Sequence, residues 1–278
     1  MKKIFLLVFM TALLLGLCFE VNAEEKAKIS NFKVGLLAKL NINQDEYPKA
    51  FEEVHQWTLS HEAPHEQVQY IFFDNLISLI MALKRGDLDE IYLPEPVARY
   101  VLETTTGYKD TCVTRTKPIL FVMGFLKQNN DVLRNEVNQA LATIKQNGRL
   151  AKIIEDTLEQ PSIVPTSQAE FKNFPGARTL KVAVTGDIPP IDYVSAEGKP
   201  AGFNTELIAA IAEVMKVNIE FITIDSSARS AALASKRADI VFWYQSYDNT
   251  SKQFDIPDNI MTSYSYYDVD KIIHLVRE

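Results

Sequence analysis

The clearest alternation of apolar and polar positions runs from Leu180 to Ile256. Residues 180–184 form a short β-rich apolar run, closed by Gly186 and the Pro189–Pro190 pair. Leu207, Ile211 and Val214 then recur at helical spacing, with Phe203 just ahead and Asn204 or Thr205 suited to the cap. Residues 219–224 alternate as a strand does, 226–235 suit a helix, and 240–243 read as a buried strand. Strand and helix alternating at this spacing predict a mainly parallel sheet with helices on its faces. Ligands of such sheets bind beyond the carboxyl ends of the strands. Those ends are the turn from Gly186 to Tyr193 and the segment from Tyr244 onward.

The earlier part of the chain reads the same way. Strands are predicted over residues 29–40, 68–73 and 88–93, and a helix over 45–59. Asp74 or Asn75 caps a helix carrying Leu76, Leu79, Ile80 and Leu83 on one face, and Gly86 is placed to end it. Pro96 opens a helix over 97–102. An apolar strand spans 117–127. Asn130 or Asp131 then starts a helix with Leu133, Val137, Leu141 and Ile144 in register. Gly148 breaks it, and 150–158 form a further helix. Residues 160–178, with Pro161, Pro165, Pro175 and Gly176 and no periodicity, read as a linker. Two stretches repeat a pattern: ALKRGDLDEIYL (82–93) and ALASKRADIVFW (232–243) both run from helix through Lys-Arg to Asp and strand. The repeat predicts two similarly built lobes.

Residues 1–23 have the form of a cleavable secretory leader, with Lys2 and Lys3, an apolar run over 4–17 and a small-residue site at Val21-Asn22-Ala23. The run is short for a spanning helix, which needs about 20 residues. Leu17 is too large for a lipoprotein site at Cys18. The expected product is exported, periplasmic and soluble. Its removal leaves 27 basic against 35 acidic residues, a balance that argues against nucleic-acid or anionic-membrane partners. Cys112 is then the one cysteine left, so no internal disulfide is expected, and a small packed side chain is the simpler role for it.

The ordered set GFNTELI, a helix running into KRAD and a strand, then KQFDIP resembles the amino-acid type of extracytoplasmic solute-binding proteins, bacterial family 3. It follows that family's first lobe in order and spacing. FKVGLL with VQYIFFDNLISLIMALKRGDLDEIYLPEPVARYVL resembles the second lobe, and the stretch from Phe121 to Leu158 resembles the return strand and C-terminal helices. The resemblance implies a two-lobed α/β periplasmic-binding-protein-like fold (type II), with a ligand cleft between the lobes and the order circularly permuted. Its parts would be a second-lobe unit at 29–117, return strand and helices at 118–160, linker at 161–178, and a first-lobe unit at 179–278 ending in a hinge strand.

The function implied is capture of a small polar solute, amino-acid-like or an organic acid, by cleft closure for a membrane ABC permease. The protein is expected to act as a monomer without cofactor or metal. An Arg gripping an α-carboxylate and an acid on the other lobe taking the ammonium are the physics of an amino-acid site. The family's Arg position falls here at Thr250, and its acid position at Pro94, beside Glu95. The family's Gly-Thr turn is replaced by a stretch containing Asn41 and Asn43. Arg229 offers a substitute positive charge. Trp243, Tyr244 and Gln245 end a strand at the cleft mouth, and Asp187 and Tyr193 flank the proline pair. Trp243 or Tyr244 suits stacking on a ring or a cation, and strand alternation places one of the two in the core. Tyr264, Tyr266 and Tyr267 are expected to pack near the hinge.

Other chemistry is weaker. His61-Glu62-Ala63-Pro64-His65 has the letters of a zinc-protease helix, but Pro64 breaks the helix that the chemistry needs. No nucleophile elbow, phosphate loop or cysteine pair is present. Two alternatives stand beside transport: a sensing or partner-binding protein, and a dehydratase-like enzyme using Asp187 or Glu95 as acid or base.

Overall fold

The computed structural model describes residues 31–38, 44–45, 67–128, 130–159, 169–246 and 256–278. The leader, the predicted helix over 45–59, the histidines of the zinc-like motif, Asn41, Asn43 and Thr250 lie outside the described residues.

Nine described strands form one sheet. β1 (Asn31–Leu37) lies parallel between β2 (Gln67–Phe73) and β3 (Glu90–Pro94). At the other end, β5 (Thr179–Val184) lies parallel between β9 (Asn218–Thr223) and β10 (Ile240–Ser246). Between these blocks run two long antiparallel strands, β4 (Tyr108–Leu126) and β12 (Tyr267–Arg277), with β11 (Ile260–Thr262) beside the end of β4. β12 pairs β3, and β4 pairs β10, both antiparallel.

The register sets where the strand ends point. Pro94, the last residue of β3, pairs with Ile272, while Ile91 pairs with Leu275 nearer the end of β12. Ser246, the last residue of β10, pairs with Leu120, while Val241 pairs with Gly124. The carboxyl ends of β3 and β10 therefore approach each other over the middle of the β4–β12 pair. The sequence predicted only the second half of β4. Residues 108–116, Tyr-Lys-Asp-Thr-Cys-Val-Thr-Arg-Thr, carry few apolar residues, and their strand is made by pairing with β12 from Lys271 to Arg277.

Helices cover the blocks. In α1 (Leu76–Arg85) the Asn75 side chain accepts from the Ser78 N–H, and Leu76, Leu79 and Leu83 are buried. Gly86 ends it in the left-handed conformation, as expected. α2 (Glu95–Thr104) follows β3 without a break. α3 (Asp131–Gln146) and α4 (Arg149–Ile154), the latter continued by a π-helical turn to Glu159, return from β4 to pack on α5 (Phe203–Met215). α5 starts two to three residues earlier than its pattern suggested. Gly202 is its N-cap, and a Cβ there would lie 2.6 Å from the Pro190 carbonyl oxygen. Asn204 and Thr205 are thus buried within the first turn rather than capping it. Val214 is 38% exposed, and the buried stripe is Leu207, Ile208, Ala210 and Ile211. After a 3-10 turn over Ser226–Ala228, α6 (Arg229–Ala234) packs on β10 and β4. The described end of the linker lies on the surface of the second block. Phe171 meets Phe221 edge-on, and the Asn218 amide clamps the backbone of Phe174 from both sides.

Candidate functional site

The site builds outward from the facing strand ends. After β5 the chain makes a small antiparallel sheet from β6 (Asp187–Ile188), β7 (Asp192–Val194) and β8 (Pro200–Ala201). Asp192, 1% exposed, holds it: its carboxylate accepts from the backbone N–H groups of Thr185 (3.1 Å) and Gly186 (3.0 Å). Asp187 and Tyr193 sit opposite each other in this hairpin. From the other block, α1 packs against β6.

Tyr193 is half-buried. Burial, with smaller contributions from Tyr100 of α2 and Glu206 of α5, pushes its phenol up to about 12. Tyr100 and Tyr193 come from opposite blocks, one on α2 and the other on β7. Tyr193 stays a neutral hydrogen-bonding group throughout the ordinary pH range. Being raised, its folded pKa contributes stability that is complete below pH about 10 and lost as pH rises through about 12. We expect an ultraviolet pH titration to show late-ionising phenols, one fewer of them in Tyr193→Phe.

Glu95 opens α2 directly after the carboxyl end of β3. Lys271, from the crossing part of β12, places Nζ 3.1 Å from its Oε2 and 3.3 Å from its Oε1. Arg99, one turn on, lies 3.9 Å from Glu95 Oε1, and its guanidinium donates to the Leu158 carbonyl at 3.5 Å. Tyr267 stands nearby. Burial and then the charges of Glu95 and Glu159 hold its phenol well above the usual tyrosine range. Tyr266 and Tyr267 pack on Phe203, as expected of residues near the crossing, whereas Tyr264 is 69% exposed.

Arg229 is buried at the start of α6, and its Nε–H donates to the Ser226 carbonyl at 3.1 Å. The first N–H groups of α5 are engaged by the chain itself: Phe203 donates to Pro190, Asn204 to Ile191, and Thr205 and Glu206 to Gly202. Trp243, Tyr244 and Gln245 lie in β10 at its cleft end, where the register against β4 shifts between Val241 and Tyr244. That irregularity breaks the simple alternation on which the choice between Trp243 and Tyr244 depended. Lys271 was missed, because a lone lysine in an apolar strand gives no local signal of its partner. Two surface grooves, of about 440 and 270 Å³, lie on the outer helices and include none of the ten predicted residues. Among the described residues no cluster of His, Cys, Asp and Glu could hold a metal ion.

Residues 180–267 match the bacterial extracellular solute-binding proteins, family 3. No curated protein matches the chain. Solved structures resemble it at low identity. The ligand-binding component of an ABC-type import system from Staphylococcus aureus is 12% identical, with 89% of this chain and 66% of that one covered and a TM-score of 0.47. The aliphatic sulphonate binding protein SsuA from Escherichia coli is 11% identical, with 89% and 65% covered and a TM-score of 0.44. The BvgS VFT2 domain of Bordetella pertussis is 13% identical, with 91% and 83% covered and a TM-score of 0.44. This chain thus spans just under two thirds of the first two proteins. Its α/β architecture is two-lobed, each block of parallel strands forming one lobe, and the chain resembles the family 3 extracellular solute-binding proteins, most directly over residues 180–267.

Proposed function

We propose that the chain is an exported binding protein that takes a small polar solute into the cleft between its two lobes and delivers it to a membrane ABC permease. The observation that carries this reading is the approach of the carboxyl ends of β3 and β10 over the β4–β12 pair, the place where sheets of this kind hold ligands. The family match over the β5–β10 lobe supports it. In this reading Asp187, Tyr193, Glu95 and the end of β10 face the solute, with Asn41, Asn43 and Thr250 adding to its walls. Among the described residues no helix is long and apolar enough to cross a membrane, and we assign residues 1–23 to the export signal.

We infer further that the lobes follow one another in permuted order. The lobe holding the family match comes second in the chain, and β12 runs from it into the first. The proposed units are 29–117, 118–160, 161–178 and 179–278.

The test is native mass spectrometry of gently purified mature protein, followed by a thermal-shift screen of acids, amines and neutral polar solutes. A ligand that binds only the folded state adds about 2.7 kcal/mol at a hundredfold excess over its Kd. A bound small molecule, or a clear shift with one class, is the expected outcome. No bound species and no shift across the panel would sink the transport reading.

A further inference from the structure

At the cleft floor the protein neutralises one of its own carboxylates. Glu95 follows directly on the carboxyl end of β3 and opens a ten-residue helix. A carboxylate in that place is suited to grip the ammonium group of a ligand. It is already engaged. Lys271 Nζ lies 3.1 Å from one oxygen and 3.3 Å from the other. The lysine is held in position by its strand, since β12 is paired on both sides there: Ile272 lies opposite Pro94 of β3 and Thr114 of β4. Arg99 adds a second positive charge 3.9 Å from Glu95 Oε1. The side chains of Glu95 and Lys271 are 30% and 33% exposed, so the pair is reachable by a solute rather than sealed in the core.

An incoming ammonium has two routes, and both are unfavourable. It can share Glu95 with Lys271 and Arg99, crowding three like charges around one carboxylate. Alternatively it can displace Lys271, which the pairing of β12 holds over the floor as an unpaired cation. A solute without an ammonium meets neither obstacle.

We propose that Lys271 is a specificity-determining residue: its ammonium occupies Glu95 in place of a ligand's, and confines the cleft to acids and neutral polar solutes. This rests on the solute-binding reading of the same cleft. It gives the lysine a role in excluding the wrong ligand rather than in holding the right one.

The experiment compares wild type with Lys271→Met by thermal shift and calorimetry. The amine probes are L-glutamine, L-histidine, L-arginine and putrescine. The acid and neutral probes are succinate, 2-oxoglutarate, benzoate and glycerol. Wild type should respond to one or more probes of the second set and to no amine. Lys271→Met should gain at least tenfold in affinity for one or more amines, and Glu95→Gln in the same background should abolish the gain. Lys271→Gln provides a second variant should the methionine variant fold poorly, with circular dichroism as the check. A folded Lys271 variant that gains no amine binding overturns the proposal, as does a wild type that binds amines through Glu95. In both cases a wild-type response to any probe leaves the solute-binding reading standing. Silence of every protein toward every probe defeats both.

Discussion

The two lobes join helix to strand in the same way with different residues. In the first lobe, α1 ends at Gly86 and the chain enters β3 through Asp87, Leu88 and Asp89. In the second, α6 ends near Ser235 and enters β10 through Lys236, Arg237, Ala238 and Asp239. Two backbone hydrogen bonds of each joint correspond. Gly86 N–H donates to Leu83 and Asp87 to Ala82, while Lys236 donates to Leu233 and Arg237 to Ala232. The last Asp of each joint clasps the first strand of its lobe. Asp89 N–H donates to the Lys33 carbonyl while its carboxylate accepts from the Lys33 N–H, and Asp239 does the same with Lys181. Leu88 and Ala238 are both buried. Gly86 and Lys236 both have positive φ, 83° and 58°. What is held constant is backbone geometry and the one carboxylate that ties helix end to strand. The residue in the left-handed position differs: Gly86 takes that φ without a side chain, and Lys236 takes it with its side chain exposed.

The largest break in this likeness should come from the clasps. Asp89→Ala and Asp239→Ala each leave a backbone N–H without its carboxylate, and each should cost about 1–2 kcal/mol. The two sites share no partner, so the double variant should show the sum in urea unfolding. Equal costs would confirm that the joints are equivalent; a cost at one alone would end the comparison.

Next in size is Gly86→Ala. Its φ of 83° disfavours a side chain, and the new Cβ would meet the Arg277 guanidinium at 2.8 Å. The arginine can move and the backbone cannot, so a loss of about 1 kcal/mol is expected. Lys236→Gly is the converse. It relieves a left-handed lysine but loosens the unfolded chain, so it should stabilise by less than about 1 kcal/mol. If Lys236→Gly destabilised instead, the lysine side chain would have a role that the first lobe lacks.

The smallest effect concerns pH. Glu213 of α5 receives hydrogen bonds from Lys172 and Arg149, which hold its carboxyl below the usual carboxylate range. Because the folded value is lowered, its contribution is present above the unfolded pKa and lost as pH falls through the folded one. The melting temperature of wild type should exceed that of Glu213→Gln at neutral pH, and the two should converge in acid. The effect is small because the group is exposed and screened. Hydrogen exchange would show whether the loss is confined to the second lobe, where Lys172 ties the linker to α5.

Much of this architecture was legible in the chain. The Asn75 cap, the Gly86 stop, and the repeated pattern through Asp89 and Asp239 are local signals, each carried by a few neighbouring residues. The strand over 108–116 was not legible, because its polar residues become a strand only when β12 lies beside them. Gly202 was passed over as a cap, since its need appears only when the Pro190 carbonyl is brought within 2.6 Å of its missing Cβ. At the candidate site, Asp187 lies in register with Tyr193 across the turn that the proline pair signalled. Arg229 opens its helix, and its burial beside the Ser226 carbonyl is a tertiary fact with no local signal.

The amino-acid sequence by itself determined most of the helices and strands, the alternation that makes a parallel α/β sheet, and the repetition of one joint in two lobes. These follow from hydrophobic period and from glycine and carboxylate at fixed short spacings, which act within a turn or two of chain. Only the tertiary structure decided that the ends of β3 and β10 face each other, and that Lys271 meets Glu95 across 176 positions of sequence. The order of strands in a sheet is set by which apolar faces bury together, and a charge has no way to signal along the chain which opposite charge that burial will bring within 3.1 Å.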